Sequence, residues 1–559
     1  MPSCRRPFLR NALILGLVLA SLWPGARGAA ARDLTIGITQ FPSTFNPLID
    51  SMMAKSFILG MTRRPVTAYD ADWNLVCLLC AELPTLENGL AKIEPLKDGG
   101  EGMALTLKIH PDATWGDGVP VTAEDVVFTC QVGRHPDTGV GNFEAFRRIL
   151  DVEVLDDKTV VLHGDRVTFD YNDMSGLTLL PAHLERPAFA EPREYRNRTL
   201  FDTDTANPGL YFGPYRITEV ALGSHVVLER NETWWGATPA FDRITVRTIE
   251  NTAALEANLL SGGIDYIAGE LGLTVDQALA FEKRHGETFK VLYRSGLAYE
   301  HIDLNLDSPI LKDRRVRRAL LTAIDRAAIS ERLFEGRQPV ANGFVNPLDW
   351  VHDPDLPEYP YDPAAAAALL DKAGWADIRG GIRHNAAGEP LRVVLMTTAG
   401  NRMRELVEQV LQSQWKQVGI ETEIRNEPAR VFFGETVTMR RFPHMAMFAW
   451  ISSPENVPRT TQHSNQIPSE ANAWAGQNYP GYSRPEVDDL IDAIEVELDR
   501  DKRLALWKRL QAIYAEELPV LPLYFRADPY VMPKWLDGVR PTGHQYPSTL
   551  WVEEWRVAE

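Results

Sequence analysis

Trp450 ends an apolar run, Met445–Trp450, at the point where a polar stretch begins, and Ser452, Ser453 and Glu455 follow within five residues. An indole at a strand end beside hydroxyls and a carboxylate is suited to holding a small solute. It gives a large contact area with a polar handle and loses little rotamer entropy. The competing role for Trp450 is core packing, since tryptophan is often buried. The polar run Ile451–Ser483, rich in Ser, Pro, Asn and Gln, is too long for an ordinary connection and is a candidate functional loop.

Residue patterns for covalent or metal chemistry are missing. The chain has no GxxxxGK[ST], HExxH or GxSxG motif, and its twelve histidines form no pair at metal-binding helical spacing. Adjacent acids such as Asp156-Asp157, Asp488-Asp489 and Glu516-Glu517 are expected among 76 carboxylates and read as turns or helix surface. Cys77 and Cys80 have CxxC spacing without a second CxxC, so they read as two buried thiols or a local disulfide. No metal or cofactor is expected.

The first thirty residues read as a targeting segment and not as part of the fold. Arg5, Arg6 and Arg10 precede an apolar stretch, Ala12–Leu22, which Trp23-Pro24-Gly25 breaks before the small residues Gly28–Ala31. Eleven apolar residues fall far short of the roughly 20 that a spanning helix needs. Cys4 lies before this stretch, so it is not the lipid-bearing cysteine of a lipoprotein. Residues 1–30 hold four arginines and no acid, leaving 54 basic against 76 acidic residues beyond them. That balance argues against nucleic acid or an anionic membrane as partner. The expected location is the periplasm, after cleavage of the signal peptide.

With 559 residues, more than one domain is expected. In Leu105–Cys130, Leu105, Leu107 and Ile109 alternate as in a half-buried strand, Gly116-Asp117-Gly118 with Pro120 marks a reversal, and Thr122 and Asp125 cap a following helix. As a string, WGDGVPVTAEDVVF resembles the signature of bacterial extracellular solute-binding proteins of the oligopeptide and dipeptide type (family 5). Three further blocks resemble that family in order and spacing: Asn207–Trp235, with its Gly213-Pro214-Tyr215; Tyr299–Phe334; and Ala364–Trp375. In the block Tyr299–Phe334, Asp313 begins a helix with Val316, Leu320, Ala323, Ile324 and Ala327 at helical spacing. Its arginines 314, 315, 317 and 318 read as a solvated face. Leu391–Leu395, Arg402–Val418 and Glu421–Ile424 give strand, helix, strand, an α/β arrangement. Pro485–Leu518 reads as helical and Val520–Phe525 as the last strand.

The resemblance implies an α/β, two-lobed periplasmic-binding-protein fold of the large three-subdomain type, with a hinge between lobes. The expected division is residues 31–298 for lobe I, with an inserted subdomain at about 67–206. Residues 299–525 then form lobe II, and 526–559 return to lobe I. The implied function is the substrate-binding component of an ABC importer. Such a protein binds a peptide or related small solute between the lobes as a monomer and delivers it to permease subunits in the inner membrane. The alternative is an exported hydrolase or other enzyme with a two-lobed cleft. In the family the strand ending at Trp450 typically reads W-x-x-D, and the aspartate pairs with the α-ammonium of a bound peptide. Here Ser453 stands at that position. Either Glu455 replaces the anchor or the ligand carries no free ammonium there. By the same resemblance Ser452, Met52, Met53 and Asn305 join the candidate ligand-binding residues.

Overall fold

The computed structural model describes residues 33–49, 52–97, 99–141, 143–472, 474 and 476–558. The expected signal peptide, with its cleavage site, lies outside them. Among the described residues ten strands form one sheet. From one edge their order is Glu421–Ile424, Arg392–Met396, Met445–Trp450, Phe289–Leu304, Val520–Pro533, Tyr266–Ile267, Asp33–Ile38, Arg243–Thr248, His225–Arg230 and Tyr215–Ala221. A separate four-stranded antiparallel sheet holds Ala91–Pro95, Glu101–Lys108, Thr159–Gly164 and Ile149–Asp156.

Two long antiparallel strands, Phe289–Leu304 and Val520–Pro533, run through the middle of the large sheet. They pair from Phe289 opposite Pro533 to Ser295 opposite Ala527, lose register, and pair again from Tyr299 opposite Phe525 to Asp303 opposite Val520. At the break Gly296 lies against Gly543, whose carbonyl oxygen would overlap an added Cβ. Leu297 N–H donates to that same carbonyl at 2.8 Å. A side chain here would force the C-terminal segment away, so the close approach requires glycine. On one side of the break Val531 pairs with Ile267; on the other, Tyr299–Leu304 pair with Met445–Trp450. Each half has its own apolar core. One includes Leu34, Trp115, Tyr215 and Trp555, the other Ile302, Leu320, Leu395 and Trp415. Two cores joined by two strands make a two-lobed α/β protein.

The stretch Leu105–Cys130 shows why its residues recur as a pattern. Asp125 Oδ2 accepts the N–H of Thr122 at 2.9 Å, closing a capping box on the helix Ala123–Arg134, and accepts the Trp115 indole N–H at 3.1 Å. Its Oδ1 accepts the N–H of Ala182 at 2.8 Å. One buried carboxylate therefore ties a helix start, a fully buried tryptophan and a distant segment together. Gly213 lies directly against the backbone of Thr62 and Arg63, which leaves no room for a Cβ. Cys77 and Cys80 are joined by a disulfide, and Cys130 is a buried free thiol.

Three expectations need correction. The helix expected to run on from Asp313 breaks into Arg314–Thr322 and Arg326–Phe334, because the Asp325 side chain accepts the N–H of Ala328 and caps a new start. The helical run Pro485–Leu518 likewise divides at Asp499, which caps Arg500–Glu517. The arginines 314–318 are not all a solvated face: Arg317 is buried. Its guanidinium donates to the carbonyls of Glu517, Leu311 and Lys312, satisfying the C-terminal end of the helix Arg500–Glu517.

Candidate functional site

A cavity of about 230 Å³ lies against Tyr299, His301 and Asp303 of the first long strand, below Trp450 and the loop that follows it. Alternation along the strand puts these three side chains on one face, and the antiparallel register sets Tyr299 opposite Trp450. The Trp450 ring stacks on Tyr479, with centroids 5.8 Å apart, and meets Phe448 edge-on at 5.3 Å. Ser452 and Ser453 line the cavity on the loop side, and Asn346 and Asp349 line it from a segment more than a hundred residues earlier. Asn346 ties that segment to the break between the long strands, its side-chain amide donating to Gly296 O at 2.7 Å.

The loop after Trp450 is ordered by its own polar groups. Asn478 is buried and its amide donates to the carbonyls of Gln462, His463 and Tyr482. Arg459 pairs with Asp492 and Glu495, and Ser464 with Asp488. Short helical turns at Arg459–Gln462, Ser464–Gln466 and Glu470–Asn472 replace the open loop that the polar composition implied.

A second cavity, about 600 Å³ and rich in charge, adjoins the first; Ser453 and Asn456 line both. Its walls come from both sides of the molecule: Tyr69, Arg148, Arg166 and Asp170 on one, Glu455, Arg459 and Glu495 on the other. At its rim the N–H of Phe169 donates to the carbonyl of Glu495 at 3.0 Å. The Arg503 guanidinium stands 4.7 Å over the Phe169 ring.

Trp450, Ser452 and Ser453 thus meet at one cavity. Glu455 lines only the second; its backbone has positive φ (55°), and its Oε2 lies 3.7 Å from Arg503 Nη2. Its backbone N–H donates to Asp349 Oδ2 at 2.8 Å. Burial pushes the Glu455 carboxyl up, while Trp350 and Arg503 pull it back. Met52 and Met53 are not at this cavity. They line a separate hollow of about 390 Å³ with Arg63 and Tyr546. Asn305 is not there either: its amide donates to Phe442 O at 2.8 Å and its Oδ1 accepts Asp307 N–H, so it closes a strand end.

Sequence reasoning missed His301, Asp303 and Asp349. A signal was present in Glu300-His301-Ile302-Asp303, where two polar side chains two residues apart must share one face of a buried strand. Burial pushes the Asp303 carboxyl up, and His301 beside it pulls it down. Burial also raises Asp349, opposed by the backbone N–H groups of Glu455, Val351 and Trp350. No group of three or more His, Cys, Asp or Glu side chains is placed to hold a metal ion among the described residues.

A two-lobed fold with a cavity at the strands joining its lobes is that of a solute-binding protein. Residues 86–468 match the sequence model for the middle part of the bacterial extracellular solute-binding proteins, family 5, and the chain belongs to that family. It is 27% identical over 540 residues to the oligopeptide-binding protein AppA of Bacillus subtilis, covering 94% of this chain and 92% of that one. It is 23% identical over 521 residues to the nickel-binding periplasmic protein of Escherichia coli, covering 92% and 93%. Among solved structures it is similar to the oligopeptide-binding protein of Thermus thermophilus complexed with a pentapeptide. There the TM-score is 0.70 and the identity 29%, over 94% of this chain and 96% of that one.

Proposed function

We propose that this protein captures a peptide or peptide-like solute in the periplasm and hands it to the permease subunits of an ABC importer, acting as a monomer and not as an enzyme. The observation that carries this reading is a pair of adjoining cavities. One is built on the strands that join the lobes, and the other is walled by residues from both sides of the molecule. At about 230 Å³ the first is smaller than the roughly 300–1,000 Å³ of pockets that enclose a whole small ligand. It suits one end or one side chain of a solute, with the larger, wetter cavity taking the remainder. The names of the Bacillus and Thermus relatives support a peptide. The lobes divide at the register break, residues 33–298 and 526–558 forming one and 299–525 the other, with the segment 67–206 inserted in the first. No helix among the described residues is long and apolar enough to cross a membrane, which is compatible with an exported, cleaved, non-lipidated protein.

Native mass spectrometry of the purified protein tests the proposal. One unmodified solute retained per chain is the expected result. Turnover of a peptide panel, with nothing retained, would overturn it.

A further inference from the structure

Four buried polar atoms on the walls of the cavity below Trp450 have no hydrogen-bond partner in the chain. They are the Tyr299 hydroxyl, Asp303 Oδ2, Gln462 Oε1 and the Trp507 indole nitrogen. Buried polar groups are ordinarily paired, because leaving one unpaired forfeits its hydration. Several on one small cavity mark a place where another molecule supplies the partners.

The chemistry of that molecule follows from the signs of the groups. His301 Nδ1 lies 3.1 Å from the carbonyl oxygen of Tyr299, which can only accept, so Nδ1 carries a proton. Nε2 lies 3.1 Å from Asp303 Oδ1, so a proton on Nε2 pairs the two side chains, while the other carboxylate oxygen, Oδ2, has no partner in the chain. Both side chains are buried, at 1% and 3% exposure. A buried carboxylate oxygen without a partner calls for a donor from outside the chain. The further carboxylate of Asp349 lines the same cavity, and among the described residues no Lys or Arg does. The remaining walls include the rings of Tyr299, Phe344, Trp450, Trp507 and Tyr514, whose π-faces favour a cation. His301 itself stacks between Tyr299, at 5.0 Å and 7°, and Trp450, at 6.4 Å and 15°, so its Nε2 is held in place.

We propose that this cavity is the subsite for a cationic group of the solute, an ammonium or guanidinium, which donates to Asp303 within the field of Asp349. The inference rests on the solute-binding reading. It moves the charge anchor from the Ser453 position to the joining strand. A compact N–H cation meets the negative charge of Asp303 and Asp349, whereas a carboxylate would face that charge with only neutral donors, such as the Tyr299 hydroxyl and the Trp507 indole N–H, to receive it.

The test presents the full chain, freed of retained solute, with an equimolar mixture of pentapeptides Ala-Ala-Xaa-Ala-Ala. Xaa is Lys, Arg, Leu or Asn, and each peptide comes with a free or an acetylated N-terminus. Retained masses are read by native mass spectrometry. Enrichment of Lys and Arg peptides by about tenfold or more, regardless of acetylation, identifies a basic side chain as the cation. Enrichment of free over acetylated peptides, whatever Xaa is, identifies the α-ammonium. Either supports the proposal, and equal retention of all eight overturns it. Asp303→Asn should erase the preference while still retaining peptide, and a preference that survives in this variant also overturns it. If no pentapeptide is retained, the peptide reading of the solute fails. The subsite is then decided by saturation-transfer NMR of butylguanidinium against its neutral counterpart butylurea on the wild-type protein. Saturation of the cation alone supports the subsite; equal saturation, or none, rules it out.

Discussion

Glu455 and Trp450 sit five residues apart, and the structure gives them opposite relations to the cavity. Glu455 directs its carboxylate to Arg503 and contributes to the loop through its backbone N–H, which a side-chain change leaves in place. Glu455→Gln is therefore expected to change solute affinity less than about threefold, measured by calorimetric titration, since the carboxylate is directed to Arg503 and is absent from the cavity below Trp450. A loss of binding would mean that the carboxylate reaches the ligand. Trp450 presents part of its ring to the cavity and packs the rest on Tyr479 and Phe448, which also contact each other. Trp450→Ala should weaken binding tenfold or more, as truncation of a buried aromatic anchor costs about 2 kcal/mol. Unchanged affinity together with a lower melting temperature would return Trp450 to the core. At this scale the sequence revealed the loop-side residues through the place of Trp450 at a strand end and through the resemblance of the run that follows it to the family's pattern. His301 and Asp303 escaped notice because their meaning depends on Asp349 and Trp507, which only the fold brings to them.

At the scale of elements, the recurring blocks encode architecture more than ligand. Asp125, Trp115 and Gly213 are legible in sequence because each meets a strict local demand: a cap, a buried ring or a close backbone approach. Boundaries that depend on remote partners were not legible. The strand expected to stop at Phe525 continues to Pro533, past Arg526, Asp528 and Pro529, because Phe289–Ser295 pair with it across the break. The helix Arg402–Gln417 carries its own titratable burden. Glu408 is fully buried, its Oε2 accepts the Asn426 amide at 2.8 Å, and its Oε1 has no partner. Burial raises its pKa from 4.5 to about 7. A carboxyl raised in the folded state holds its proton where the unfolded chain releases it. It therefore favours folding fully below pH 4.5, and that contribution fades as pH rises to about 7. Glu408→Gln should stabilise the protein at pH 8 by on the order of 1–3 kcal/mol relative to its effect at pH 4.5. Urea unfolding of both proteins at the two pH values measures this; an equal effect at both would show that Glu408 is not protonated in the fold.

For the whole molecule, the question is what a solute does to two bodies joined at a pair of strands. A ligand shifts an open–closed balance only by its differential affinity for the two states, so it must touch both lobes when they close. The larger cavity offers contacts from both sides, and its rim is held by the Phe169 N–H to Glu495 carbonyl bond and by Arg503 over the Phe169 ring. These contacts span the cleft, so they exist only when the lobes are together and add to the stability of that state. Gly296, pressed against Gly543 where the register breaks, is the point at which the long strands can flex with few ladder bonds to lose. Saturation of the solute-free protein should lower the radius of gyration in small-angle scattering. Phe169→Ala removes the ring beneath Arg503 but keeps the backbone donor. It should weaken solute affinity by roughly three- to tenfold, the worth of one cation–π contact, while leaving the unfolding midpoint of the solute-free protein within about a degree. An unchanged radius of gyration on saturation would remove the case for closure. A variant that loses thermal stability in parallel with affinity would place Phe169 in the scaffold of its own lobe and not in a latch between the two.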